Sequence, residues 1–298
     1  MKKLHAGILS LSFLMVTPTT LAQSRTIDTL INVGGYALHF VITAGRGTPI
    51  LFEAGGGDDA SAWKDLLKPI SQITGAPLVT YDRPGFGKSG LDTINHGIDQ
   101  SINGLEIALN KLGFGGKMMC VAHSLGGIYT QVLAYRHPNR VKAAVMVDAT
   151  TACFYQPLRL SATQRNIDRE NGKIRYTRPG SYFQGADFSR NMEVARRSSF
   201  PANIPVIDLV SDHPPFTDSA AIADWKHCHR AFVATVANRK GITAWGCGHY
   251  IFKDNPPLVV LTIAKAYTNV VNKNRRKEIN ERIVNYAIET VVDHAKDR

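Results

Sequence analysis

Apolar and polar positions alternate with a period of two over Asp28–Val33 and again over Tyr36–Thr43, with Gly34-Gly35 between them. That pattern predicts two strands joined by a tight hairpin turn. The period then changes. Ile50-Leu51-Phe52, Pro77–Tyr81, the run from Met118 and Val141–Val147 are short and almost wholly apolar, as strands buried on both faces must be. Helical spacing separates them over about Ala60–Ser71, Ile98–Leu112 and Ile128–His137, the last closed by Pro138. From Thr151 to about Ile204 the chain turns polar, rich in arginine, aromatics and glycine, and only weak helical segments are predicted there. The alternation returns with a strand at Pro205–Val210, a helix at Thr217–Asn238, a strand at Gly241–Trp245 and a helix from Pro257 to about Asn272. Strands alternating with helices imply an α/β fold, a mostly parallel sheet with helices on both faces.

The sharpest local signal is Met118–Gly127, M-M-C-V-A-H-S-L-G-G. An apolar strand runs into Ser124 and a helix begins immediately afterwards. A turn that tight strains its central residue, so the positions two before and two after must be small; Ala122 and Gly126 are. The strain lifts the Ser124 hydroxyl clear of the backbone. It also leaves the Leu125 N–H at a helix N-terminus, where its partial positive charge can face a developing oxyanion. A second stretch, Glu53-Ala-Gly-Gly-Gly57-Asp-Asp59, follows a central strand and exposes bare amides.

The Ser124 stretch resembles the nucleophile elbow of the α/β-hydrolase family, with Ala122 where glycine is commoner. In that family the loop corresponding to Glu53–Asp59 supplies a second oxyanion donor. The resemblance implies the Gly56 N–H for that role, with Gly57 as the one-residue alternative, and Ala54-Gly55 stands where His-Gly is usual. Asp82-Arg-Pro-Gly-Phe-Gly-Lys-Ser89 is similar to a stretch that is mainly structural in the family, so Asp82 takes no catalytic role. Gly248-His249-Tyr250-Ile251, ahead of a proline-started helix, is similar to the family's histidine loop. The similarity extends from about Ile27 to Asn272. It implies an eight-stranded, mostly parallel sheet with a small cap inserted after the sixth strand, at about 151–204. An amphipathic helix at about Lys277–His294, within an extension over about 274–298, exceeds what the minimal fold needs and suits surface packing or association.

A serine hydroxyl is a poor nucleophile at neutral pH and needs a base beside it. Histidine serves because its pKa lies near the working pH, and a carboxylate must hold its other ring nitrogen. The chain order serine, aspartate, histidine matches that of α/β-hydrolases. Ser124 and His249 are therefore two members of an expected triad. His123 and the remaining histidines lack the loop context. For the acid, Asp148 ends the strand after the elbow, Asp212 follows the strand after the cap, and Asp208 lies mid-strand. Asp148 is placed first because Val147-Asp148-Ala149 is a clean strand end; Asp212 is the alternative. The implied reaction is acyl transfer from a small or medium carboxylic ester to water, with no metal or organic cofactor. The same residues suit cleavage of an N-terminal peptide bond, a lactone or a carbon–carbon bond, and the fold also admits a non-catalytic ligand- or partner-binding member.

Composition adds compartment and charge. Met1-Lys2-Lys3, the apolar Ile8–Val16 and Thr20-Leu21-Ala22 form a secretory signal pattern with cleavage expected after Ala22, leaving a domain over 23–298 in a periplasm or outside the cell. No other segment is long and apolar enough to span a membrane. Loss of Lys2 and Lys3 takes the formal charge from +11 to +9. In the cap region Arg159, Arg165, Arg169, Lys173, Arg175, Arg178, Arg190, Arg196 and Arg197 outnumber Asp168, Glu170, Asp187 and Glu193, which suits an anionic substrate group or a solvated basic surface. Tyr155, Tyr176, Tyr182 and Phe183 are candidate pocket residues. No nucleic-acid motif accompanies the charge. Cys120 falls in the elbow strand as a buried free thiol. Cys153, Cys228 and Cys247 can supply one disulfide, Cys228–Cys247 being a natural pair, in a spacing that is not a zinc site.

Overall fold

A computed structural model describes residues 25–296. The expected signal segment lies outside them. The hairpin forms as β1 (Thr26–Asn32) and β2 (Ala37–Thr43), antiparallel in continuous register. There follow β3 (Ile50–Glu53), a 3₁₀ turn over Ala60–Trp63, α1 (Lys64–Thr74), β4 (Leu78–Tyr81), α2 (Ile98–Lys111), β5 (Met118–His123), α3 (Gly126–Arg136) and β6 (Val141–Val147). The sheet has eight strands in the order β1-β2-β4-β3-β5-β6-β7-β8, where β7 is Val206–His213 and β8 is Arg239–Gly248. β2 pairs antiparallel with β4, and every pairing from β4 through β8 is parallel.

The apolar run of β5 is explained by its two neighbours and two cores. All six of its residues are buried. Met119 and Val121 point into a core shared with Ile70 and Ile73 of α1 and with Val260 and Ile263 of α9 (Pro256–Tyr267). Met118, Cys120 and Ala122 point the other way, against Ile102 and Leu105 of α2 and Ile128 and Val132 of α3. A strand covered on both faces has no solvated side to give it alternation.

The cap over 151–204 is more helical than its sequence suggests: α4 (Pro157–Asn171), α5 (Pro179–Ala186) and α6 (Phe188–Arg197). Each of the first two opens on a proline, which pre-sets the first helical turn. In α4 and α5 together only Leu160, Asn171 and Gly180 are buried, so the usual apolar stripe is too thin to read. The cap is anchored by the Asp187–His96 pair, by Asn191 Oδ1 accepting from the Ile98 N–H (2.9 Å), and by Gln131 Nε2 donating to the Ala195 and Ser198 carbonyls (2.6 and 2.7 Å). After β7 come α7 (Ser219–Ala234), β8, the short α8 (Ile251–Asp254), α9 and α10 (Lys273–Lys296). The last packs on α1 and α9 rather than standing free, with Ile279 fully buried. No helix of the described residues is long and apolar enough to cross a membrane.

Candidate active site

Register brings the first two site residues together. His123 of β5 pairs with Val147 of β6, so Ser124 and Asp148 leave adjacent parallel strands at the same level. Among the described residues these two are the non-glycine positions with positive φ, 48° for Ser124 and 44° for Asp148. Strain of this kind survives only where neighbours over-determine it. Here the Ser124 N–H donates to the Val147 carbonyl (3.3 Å), the Thr150 N–H to the Ser124 carbonyl (2.7 Å) and the Asp148 N–H to the Leu209 carbonyl (2.7 Å).

The loop after β8 adds His249. Its Nδ1 lies 2.7 Å from Asp148 Oδ2 and its Nε2 lies 2.8 Å from Ser124 Oγ. A carboxylate only accepts, so Nδ1 carries the proton and Nε2 accepts from the serine hydroxyl. Asp148 is fully buried. Burial alone would raise its carboxyl, but hydrogen bonds from His249, the Ser211 N–H and the Trp225 indole outweigh it and hold the group below its ordinary value.

Asp212 and Asp208 are not brought to His249. Successive β7 side chains point to opposite faces. Ser211 turns inward to donate to Asp148 (Oγ, 2.8 Å), so Asp212 turns outward, to Lys226 Nζ (3.4 Å) and the Gly246 N–H (3.3 Å). Asp208 binds His229 Nδ1 at 2.8 Å. The sequence predicts that the strand ends at Val210, before Ser211-Asp212-His213, whereas β7 continues through to His213.

Gly56 lies against the residue after the serine: a methyl group on its Cα would meet Leu125 Cδ2 at 3.3 Å. Among the described residues neither the Gly56 nor the Leu125 N–H donates to another backbone group. Gly57, the alternative donor, is exposed with φ 83° and has open space around it. The loop carrying these glycines is held from below. Buried Arg83 donates to Glu53 Oε1 (2.9 Å), to the Ala54 carbonyl (2.5 Å) and to the Gly55 carbonyl, and Tyr81 Oη donates to Glu53 Oε2 (2.6 Å). Burial pushes the Glu53 carboxyl up, opposed by Arg83 and Tyr81. Asp82, next to it, accepts from the Ala60 and Lys88 N–H groups and binds His39 Nδ1, a structural role.

Two residues at the site are not assigned to it by the sequence: His123 is set aside there and Trp225 carries no mark. His123 packs its ring 4.7 Å from that of His249 and donates from Nε2 to the His249 carbonyl (3.1 Å). Trp225, on α7, donates from Nε1 to Asp148 Oδ1 (2.9 Å). Nothing in the spacing of either marks it, because each meets the site only through the fold. Of the cap aromatics, Tyr176 is 89 % exposed and turned out to solvent, while Phe183 packs on His96 and Tyr155 on Phe188. Several cap cations are engaged locally: Arg159 with Asp224, Lys173 with Glu170 and Arg196 with the Tyr155 carbonyl. The disulfide joins Cys153 to Cys228; Cys247 stays a buried free thiol, as does Cys120. The Cys228–Cys247 pairing is therefore not formed. Cys228 faces the start of the cap, in one cluster with Phe154 and Trp225, whereas Cys247 packs in the core on the other side. No group of three or more His, Cys, Asp or Glu among the described residues is placed to hold a metal ion.

An eight-stranded, mostly parallel sheet with a strained serine at a strand-to-helix turn is the architecture of the α/β-hydrolase fold. A family model for the alpha/beta hydrolase fold matches residues 48–180. The uncharacterized protein YqjL of Bacillus subtilis (strain 168) is 28% identical over 245 residues, 81% of this chain and 92% of that protein. The 2-hydroxy-6-oxo-6-(2'-aminophenyl)hexa-2,4-dienoic acid hydrolase of Metapseudomonas resinovorans is 26% identical over 129 residues, 42% of this chain and 43% of that one. Among solved structures, a thermophilic esterase from Thermogutta terrifontis superposes with a TM-score of 0.60 at 19% identity, covering 84% of this chain and 100% of that one. The haloalkane dehalogenase DatA from Agrobacterium tumefaciens C58 gives 0.61 at 15% identity, over 83% and 97%. The chain has the alpha/beta hydrolase fold.

Proposed function

We propose that the protein is a serine hydrolase of carboxylic esters or related acyl bonds, working outside the cytoplasm. The observation that carries the reading is the continuous chain of short contacts from Asp148 through His249 to Ser124, beside the free Leu125 and Gly56 amides. Ser124 Oγ attacks the substrate carbonyl carbon while His249 Nε2 takes its proton. The carbonyl oxygen gains the negative charge and is held by the Leu125 and Gly56 N–H groups, each such donor being worth about 3 kcal/mol of barrier. Collapse expels the leaving group, which takes the proton from His249. Water, deprotonated by the same nitrogen, then releases the acid and restores Ser124. Asp148 keeps Nδ1–H fixed and stabilises the imidazolium without itself taking the proton. The Cys153–Cys228 bond supports an oxidising compartment, in agreement with the signal pattern over residues 1–22.

The test uses protein recovered from the periplasm or medium, which should begin at Gln23. It should hydrolyse p-nitrophenyl esters of graded chain length, and Ser124→Ala should lower kcat by at least about 10³-fold. Undiminished turnover in Ser124→Ala would remove this reading. An unreactive protein whose Ser124 still takes up a fluorophosphonate would move the substrate outside this ester series, and the dienoic acid named for the Metapseudomonas resinovorans relative would be tried next.

A further inference from the structure

The Asp148 carboxylate is surrounded by donors, and one of them comes from far along the chain. Oδ1 accepts from the Ser211 N–H (2.9 Å) and from Trp225 Nε1 (2.9 Å); Oδ2 accepts from Ser211 Oγ (2.8 Å) and His249 Nδ1 (2.7 Å). Ser211 belongs to β7, the strand beside β6, so the sheet itself delivers it. Trp225 belongs to α7, which no β-ladder ties to Asp148. What ties it is covalent. Cys228 lies three residues on, on the same face of the helix, and its disulfide partner Cys153 lies five residues after Asp148. Phe154, next to Cys153, packs edge-on against the Trp225 ring, with centroids 5.0 Å apart. Phe216 and His229 pack on the same indole at 5.3 and 5.1 Å. Both cysteines line a surface groove of about 600 Å³, so a small reductant can reach the bond.

We infer that Trp225 is a positioning residue for Asp148 and that the Cys153–Cys228 crosslink holds it there, so that the activity of the Ser124 site depends on the oxidised state of that bond. This rests on the hydrolase reading above. A dithiol reductant supplies two electrons and two protons, the sulfur–sulfur bond becomes two thiols, and the reductant leaves as its own disulfide. The two polypeptide segments are then joined only by non-covalent contacts, the Phe154–Trp225 packing and the Arg159–Asp224 pair among them. α7 gains freedom relative to the strand end, the indole N–H no longer meets Oδ1 in one geometry, and Oδ1 is left with the Ser211 N–H alone, so the carboxylate is less tightly fixed in the plane that His249 Nδ1 requires.

The consequence is electrostatic as well as geometric. A carboxylate that loses a donor becomes more basic and pulls harder on the imidazolium. The groups facing His249 are Asp148, Ser124, His123, Tyr250 and, edge-on at 6.3 Å, the Trp225 ring; those facing Asp148 are Ser211, Trp225 and His249, with the His229–Asp208 pair just beyond. Trp225→Phe removes the indole N–H from Oδ1 and keeps an aromatic ring among Phe154, Phe216, His229 and His249. Its acidic limb should therefore move to higher pH, which simple loosening of the fold does not do.

The measurement is the rate of Ser124 labelling by a fluorophosphonate as a function of pH, with intact mass as readout and circular dichroism to confirm folding. Trp225→Phe should label about tenfold more slowly, the loss of one hydrogen bond to a charged group, with its half-maximal pH raised. The double variant Cys153→Ser/Cys228→Ser, and wild type in dithiothreitol, should slow comparably. Combining Trp225→Phe with the double serine variant should add little, because both act through one contact. Wild-type rate and pH midpoint in Trp225→Phe overturn the inference, and so do crosslink and indole effects that multiply. If wild-type Ser124 is itself unlabelled, the hydrolase reading fails and this inference with it.

Discussion

Asp148 and Asp212 end up in opposite electrostatic situations although both leave the same edge of the sheet. The first is sealed from water and meets four donors; the second shares its charge with Lys226, the Gly246 amide and solvent. Asp148→Asn replaces an acceptor with a group that can present N–H to Nδ1, which favours the wrong imidazole tautomer. We expect kcat for p-nitrophenyl acetate to fall by about 10³–10⁴-fold. Asp212→Asn removes only a rim contact, worth no more than about 1 kcal/mol, and kcat should stay within a few-fold of wild type. A reversed order of damage would transfer the acid role to Asp212. The glycines of this region follow the same logic of close approach. A methyl group on Gly126 would meet the Glu53 and Ala54 carbonyl oxygens at 2.5 and 2.6 Å, so the helix that follows Ser124 lies directly on the glycine loop after β3.

Among the elements, α10 shows how an apparent addition becomes part of the core. Arg275 Nη2 donates to the Thr74 carbonyl (2.9 Å), and Arg282 Nη1 to the Gln72 carbonyl (3.2 Å), so two of its cations satisfy carbonyls at the C-terminus of α1. Between them Ile279 fills the core beside Ile70 and Ile73. Ile279→Ala should lower unfolding stability by about 2–4 kcal/mol, read from urea midpoints, with kcat unchanged while the protein is folded. A loss below about 0.5 kcal/mol, the range of ordinary surface substitutions, would mean that α10 is dispensable to the fold.

For the molecule as a whole, two buried histidines with opposite surroundings set a pH optimum of stability. Burial, with the His249 ring beside it, depresses the pKa of His123 despite Asp58. His229 is buried as deeply, yet the Asp208 carboxylate at 2.8 Å outweighs burial and raises its pKa. His123 therefore contributes stability that is present above about 6.5 and is lost as pH falls through its lower folded value. His229 contributes stability that is fully present below about 6.5 and is lost as pH rises through its higher folded value. Their sum peaks near pH 6.5, the unfolded value common to both. Urea midpoints across pH 5 to 8 should show both arms, and His229→Gln should flatten the alkaline one only. An unchanged alkaline arm in that variant would assign it to other groups.

What the chain states by itself is whatever depends on neighbours in sequence. The β-strand runs, the strained turn at Ser124, the glycine loop at Gly55–Gly57 and the histidine loop at His249 are legible because a few consecutive residues impose each conformation. The eight-stranded sheet is implied by the family resemblance that these motifs carry, and the order of its strands comes from the structure. The identity of the acid is different. Asp148 and Asp212 are both strand-end aspartates, and only the β5–β6 register and the face that Ser211 takes on β7 separate them. The disulfide is different for the same reason: Cys228 has two possible partners in sequence, and the side of the sheet on which each lies selects Cys153. The cap helices hide because their buried contacts are few and come from loops far away, and Trp225 and His123 hide because their roles consist entirely of contacts with distant residues. Local sterics and periodicity are written in order along the chain; long-range register and sidedness exist only once the sheet has closed around β5.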